Sequence, residues 1–141
     1  YKKTIAIGIL AWITRYFLLA QSANSSSAMQ TTFIFGAILL HGVCYDFLFI
    51  AGQLYVDSES NERIRGAAQG FFAFILWGVG GFVGTLLAGI VMDAHKLADP
   101  VGAIKHDWAA FWMLPALGAT AVLIVFFLFF REPRQAVENT P

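Results

Sequence analysis

Charge is scarce in this chain: of 141 residues only 13% are Asp, Glu, Lys or Arg, against roughly 25% in a soluble domain. Nine basic residues cancel nine acidic ones. So little charge excludes a nucleic-acid-binding surface, which needs a basic patch, and a disordered segment, which needs polarity and net charge. Cysteine is scarcer still. Cys44 is single and embedded in an apolar run, so the chain carries no internal disulfide and no thiol-based metal spacing. Of the three histidines, His95 and His106 share one long loop with no thiol or carboxylate at ligand spacing. There is no Gly-rich phosphate loop on a strand and no arguable Ser-His-Asp set. These absences argue against an enzyme and imply neither a cofactor nor a metal.

What the chain has in excess is apolar surface. Hydrophobic types make up 58% and aromatics 16%, and the mean hydropathy is +0.67. A transmembrane helix needs about 20 mostly apolar residues, and four stretches qualify, at about 4–20, 30–56, 66–92 and 107–130. The expected fold is therefore all-α, a polytopic membrane protein in contact with the lipid bilayer. The gaps are loop-like: QSANSSSA at 21–28, DSESNERIRG at 57–66, and a third at 92–107 containing Pro100 and Gly102. The chain opens on Tyr1-Lys2-Lys3 without a signal-peptide cleavage pattern, and is expected to be a piece of a longer polypeptide.

Orientation follows from Lys and Arg. Four crossings place Lys2, Lys3, Arg63, Arg65, Arg131 and Arg134 on one side, and only Lys96 and Lys105 on the other. Six against two assigns both ends, the 57–66 loop and the 131–141 tail to the cytoplasm. Arg15 belongs to neither count because it lies within the first span.

The second span holds the polar chemistry. At 100° per residue, HGVCYDFLFIAGQLYVD at 41–57 gathers His41, Gly42, Tyr45, Asp46, Phe49, Gly52, Gln53 and Asp57 on one arc, with Leu39, Leu40, Val43, Phe47, Ile50 and Leu54 opposite. An ionisable residue in mid-membrane is a functional-site expectation by default. Asp46 lies about 15 Å in from the Val56 end. A carboxylate withdrawn from water favours its neutral form, which suits Asp46 to take up and release a proton. The competing reading is an ionised brace, and Arg15, roughly 17 Å deep on the first span, is the candidate ion-pair partner. His41 and Tyr45 stand one turn apart, Tyr45 and Phe49 offer faces on which a planar base can stack, and Gln53 adds an amide. The third span carries Gly80-x-x-x-Gly84 with Ala88 one turn on, a close-packing signal, and Gln69, expected at a cap or loop contact. In the fourth, Trp108 and Trp112 suit an interfacial belt, Pro115 predicts a kink, and residues 122–130 are apolar all round, as a lipid-facing segment would be.

The runs HGVCYDFLFIAGQLYVD, ERIRGAAQGFFAFILWGVGGFVGTLLAG and DWAAFWMLPALGATAVLIVFFLFF, with AWITRYFLL at 11–19, resemble the C-terminal end of the nucleoside:proton symporters of the major facilitator superfamily. The most specific element is the G-x-x-[FY]-D-F signature at 42–47. The resemblance implies a twelve-helix transporter of two six-helix halves, of which residues 1–141 are roughly the last four helices, packed against the remainder of the same chain in the plasma (inner) membrane. It implies a nucleoside as substrate and a proton as coupling ion. Asp46 then matches the substrate-binding aspartate of the signature, Tyr45 the aromatic before it, and His41 a position where bacterial members often carry tyrosine. Two further readings stay open: a transporter of this fold for a sugar or other small polar metabolite, and a non-transporting four-helix membrane scaffold.

Overall fold

The computed structural model describes residues 1–97 and 105–131. Pro100 and Gly102, and Arg134 with the rest of the tail after Arg131, lie outside the described residues. Four helices are long and apolar enough to cross a membrane: α1 (Lys2–Ser22), α2 (Ser27–Glu59), α3 (Arg65–Ala94) and α4 (Trp108–Phe129). With no water in hydrocarbon to satisfy the backbone, helices that close their own hydrogen bonds are what such apolar runs form. α2 and α3 extend past their apolar stretches because helical hydrogen bonding continues into polar residues beyond the hydrocarbon.

Between α3 and α4 the expected irregular loop contains a short antiparallel ribbon, β1 (Lys96–Leu97) with β2 (Lys105–His106), in which Lys96 faces His106 and Leu97 faces Lys105. Asp107 then caps α4, its carboxylate accepting from the Ala110 amide at 3.0 Å. In the 57–66 turn the Asn61 side-chain oxygen accepts from the Arg63 and Ile64 amides, both at 3.1 Å, and Arg65 pairs with Asp57 at 3.4 Å across the α2–α3 corner.

α1 is the central helix. Its Ile5 and Ile9 form a core with Ala51 of α2, and Leu48, Leu123, Phe126 and Phe130 pack around them. This corrects the expectation that 122–130 faces lipid throughout. Ile124, Val125, Leu128 and Phe129 are exposed, but the stripe 123, 126 and 130, at helical three-to-four spacing, seats α4 on α1. Lys2 Nζ donates to the Phe130 carbonyl at 2.7 Å, and Tyr55 touches both Tyr1 and Phe130 with ring centroids 5.6 and 5.4 Å apart. The start of α1, the end of α2 and the end of α4 therefore gather on one side, as an even number of crossings requires. α4 runs on through Pro115.

Two segments depart from α geometry. Asp46–Ile50 of α2 and Phe74–Gly80 of α3 are π-helical, each inserting extra residues into a turn. The 100° rule therefore does not hold across 41–57, and the single polar arc read from it breaks up. The close helix approach is also elsewhere than the Gly80/Gly84 stripe. A Cβ at Gly84 would meet nothing within 4 Å, and one at Gly80 only the Ile75 carbonyl of its own helix at 3.3 Å. Gly8 is the tight position: a Cβ there would stand 2.9 Å from Leu48 N and 3.0 Å from Phe47 C, so α1 and α2 touch backbone to backbone at the first π turn.

Gly8→Leu in the full-length protein is expected to cost about 1–3 kcal/mol by overpacking that crossing, seen as a lower thermal unfolding midpoint in detergent. Gly66→Ala, at a position with nothing within 4 Å, should not lower it. Equal midpoints for the two variants would show that Gly8 does not set the crossing.

Candidate functional site

Asp46 opens the π turn of α2. About 20 Å of helix separates it from the Glu59 end. It is exposed on the surface of the described residues, and none of them forms an ion pair or hydrogen bond with its carboxylate. Around it the predicted residues divide among different neighbours. Tyr45 and Phe49 turn to α3, where Trp77 lies 6.2 Å from Tyr45 and 5.3 Å from Phe49 between ring centroids, the second pair stacked at 20°; Tyr45 and Phe49 are themselves 5.1 Å apart. His41 turns to α1, edge-on to Trp12 at 6.2 Å and 81°. Gly52 is not on an open wall, since a Cβ there would stand 2.9 Å from the Phe72 ring. The Gln53 side chain is exposed, while its carbonyl accepts from Gln69 Nε2 at 2.9 Å, so Gln69 ties α3 to α2. Asp57 is occupied by Arg65. Of the residues expected to share one wall, Tyr45, Asp46 and Phe49 stay together; His41 and Gln53 stand apart.

Arg15 does not meet Asp46. Its guanidinium carbon lies 5.5 Å from the Trp12 ring centroid and 5.7 Å from that of Tyr16, a cation–π arrangement worth about 2 kcal/mol or more when desolvated. Tyr16 in turn stacks on Trp112 of α4 at 6.0 Å and 20°. The buried Arg15 Nε and Trp12 Nε1 have no hydrogen-bond partner among the described residues. The charge within α1 is thus balanced by ring quadrupoles rather than by a carboxylate, because the i, i+1 and i, i−3 positions bring both rings to it.

Among the clefts bordering this region, two bear on the expected residues. One, of about 250 Å³, is apolar and bounded by Ile5, Leu48, Phe49 and Phe72. The other, of about 520 Å³, separates α3 from α1 and α4 and is bounded by Gly84, Ala88, Tyr16, Trp112 and Pro115, so the small-residue stripe of α3 faces a gap. Asp46 borders neither. No group of three His, Cys, Asp or Glu side chains arranged to hold a metal occurs among the described residues.

Trp12, Tyr16 and Trp77 escaped sequence reasoning as site residues. Trp77 left one usable signal: it lies about 18 Å along α3 from Arg65, far from the interfacial belts where membrane tryptophans concentrate.

A family model described as "Nucleoside H+ symporter" matches residues 1–135. The chain is 32% identical over 133 residues to a putative nucleoside transporter, YegT, of Escherichia coli (strain K12), covering 93% of this chain and 31% of that protein. It is 28% identical over 130 residues to the xanthosine permease of the same strain, covering 92% and 29%, and 28% identical over 127 residues to its nucleoside permease NupG, covering 90% and 28%. The chain thus spans about a third of the length of the curated relatives it matches. No solved structure is matched at a significant level.

The separation of Arg15 from Asp46 is testable by a double-mutant cycle on thermal stability with Arg15→Gln and Asp46→Asn. The two effects should add within about 0.5 kcal/mol, as they do for residues without direct contact. A coupling above about 1.5 kcal/mol would put the two side chains in an ion pair.

Proposed function

The chain belongs to the nucleoside H+ symporter family, and from that premise we propose that it is the C-terminal, four-helix part of a twelve-helix transporter that carries a nucleoside together with a proton across the plasma (inner) membrane. Its matches to nucleoside permeases favour this cargo over a sugar, and transport over a scaffold role. The mechanism is alternating access of two helix bundles around a site near the midplane, with the first eight helices supplying the opposite wall. Both ends of the segment and the 57–66 turn lie in the cytoplasm, in keeping with the excess of Lys and Arg there.

The observation that carries the reading is the state of Asp46. It sits at mid-depth on the helix bearing the G-x-x-[FY]-D-F signature, with no partner among the described residues and with aromatic rings beside it. An unpaired carboxylate at that depth is costly as an anion and persists where a task requires it. In this mechanism Asp46 accepts hydrogen bonds from the substrate when ionised and holds the coupling proton when it is not, so loading and release are linked. Tyr45 and Phe49 contribute apolar and aromatic surface to the same site, and Gln53, nearer the cytoplasmic end, and His41, toward the outer end, serve as polar contacts along the path. Arg15, held by Trp12 and Tyr16, braces α1 and leaves the Asp46 carboxylate free for substrate and proton.

Asp46→Asn in the full-length protein should abolish proton-driven accumulation of radiolabelled uridine, by about a hundredfold or more, while membrane insertion stays normal. Accumulation at the unsubstituted level would remove Asp46 from the mechanism. In the unsubstituted protein, competition with a panel of nucleosides and sugars checks the cargo: inhibition by sugars but not by nucleosides would overturn the nucleoside reading.

A further inference from the structure

The two π-helical segments, Asp46–Ile50 in α2 and Phe74–Gly80 in α3, lie on neighbouring helices, and Phe49 of one stacks on Trp77 of the other with Tyr45 beside both rings. π turns are rare and frequently lie at functional sites, and here each one carries a ring of the contact, Phe49 in one and Trp77 in the other. The three rings are not equivalent. Phe49 is half-buried, one face taken up by Trp77, whereas Trp77 is 57% exposed and Tyr45 40%. The largest open aromatic face in the cluster therefore belongs to Trp77.

Trp77 is out of place for a lipid-facing residue. Tryptophans of membrane helices concentrate at the interfaces, where the indole N–H finds water or a headgroup. Trp77 lies at about the same depth as Asp46, some 18 Å from one helix end against some 20 Å, and its indole N–H has no hydrogen-bond partner among the described residues. In hydrocarbon that donor would stay unsatisfied. Both the depth and the donor fit a wall of the transport path proposed above rather than a lipid-facing surface.

We infer that Trp77 supplies the face on which the nucleobase stacks, with Phe49 stacked behind it as a positioning residue and Asp46 holding the polar part of the same substrate. The inference rests on the nucleoside reading above and refines it: base recognition is shared between α2 and α3 rather than confined to the signature helix. Stacking on an aromatic face is tolerant of base identity because every base has a π-face, so the platform fixes the ring plane and leaves discrimination to polar contacts at the ring edge. Fixing the plane also brings the ribose to a constant distance from Asp46. Because the two helices meet through this contact, a relative movement of α3 against α2 would alter the platform and release the base.

The test is nucleoside uptake by the full-length protein carrying Trp77→Leu and, separately, Trp77→Phe, with membrane levels measured for each. Trp77→Leu should raise KM for uridine about tenfold with kcat within about twofold, and raise KM for a purine nucleoside more, since the larger base loses more stacking. Trp77→Phe keeps a smaller ring and should raise KM only about threefold. An unchanged KM in Trp77→Leu, or a fall in kcat with KM constant, would overturn the assignment and leave the transport reading intact. If Trp77→Leu does not reach the membrane, Trp77→Phe decides: an unchanged KM for both nucleosides overturns it. If the unsubstituted protein takes up no nucleoside, the transport reading itself falls, and the stacking role falls with it.

Discussion

Gly8 meets the backbone of Phe47 and Leu48 with no room for a side chain, and the arrangement of the other helices follows from that contact. A backbone-to-backbone crossing in hydrocarbon gains dispersion energy without help from the hydrophobic effect, since lipid tails are as apolar as the side chains. It falls on the π turn of α2, where the extra residue widens the helix against the flat surface that glycine provides. With α1 held there, Ile5 and Ile9 reach Ala51, and the 123, 126 and 130 stripe of α4 closes on the same core. The π turn also aims Tyr45 and Phe49 at α3 and leaves Asp46 unpaired beside them. The helix contact and the candidate site are two faces of one local deformation.

Electrostatics in the bilayer-spanning region follow a similar economy. The two charged side chains deep in the spans are not used to neutralise each other. Arg15 lies over Trp12 and Tyr16, which offer negative ring faces at fixed i−3 and i+1 positions on its own helix and need no movement of a neighbour. A permanent Arg15–Asp46 pair would fix α1 to α2 at that depth.

α3 contrasts with the rest. It buries no residue among those described, is joined to α2 by the Gln69–Gln53 hydrogen bond, the Arg65–Asp57 pair and the three-ring contact, and stands off from α1 and α4 across a cleft lined by Gly84 and Ala88. Among the described residues this helix is therefore secured to α2 along one flank and set apart from α1 and α4 along another. The apolar surface of α3 is large, as expected of a segment that spans a third of its relatives' length and meets lipid or other helices on its remaining sides.

The number of spans, their approximate limits, the all-α class and the family were legible in the sequence, because hydrocarbon thickness and backbone hydrogen bonding constrain any chain of this composition before packing is considered. Asp46 was legible for the same reason: a carboxylate in an apolar run is conspicuous wherever the helix turns. Its neighbours were not. A uniform 100° period places His41, Gly52 and Gln53 on one wall with Asp46, whereas in the structure α2 has a π turn at 46–50, Gly52 lies against Phe72 and His41 against Trp12. Among the described residues no other backbone arrives at Gly84, whereas one does at Gly8, and a glycine marks an approach only where another backbone arrives. Trp77 became a candidate only when α3 lay alongside α2 and a ring 28 positions beyond Phe49 stacked on it. What the sequence by itself determined was which segments leave water and which charge enters the membrane with them, since those depend on composition along one helix. Which side chains share a site was decided only by the tertiary structure, because that depends on where two backbones touch and how a helix deforms to let them.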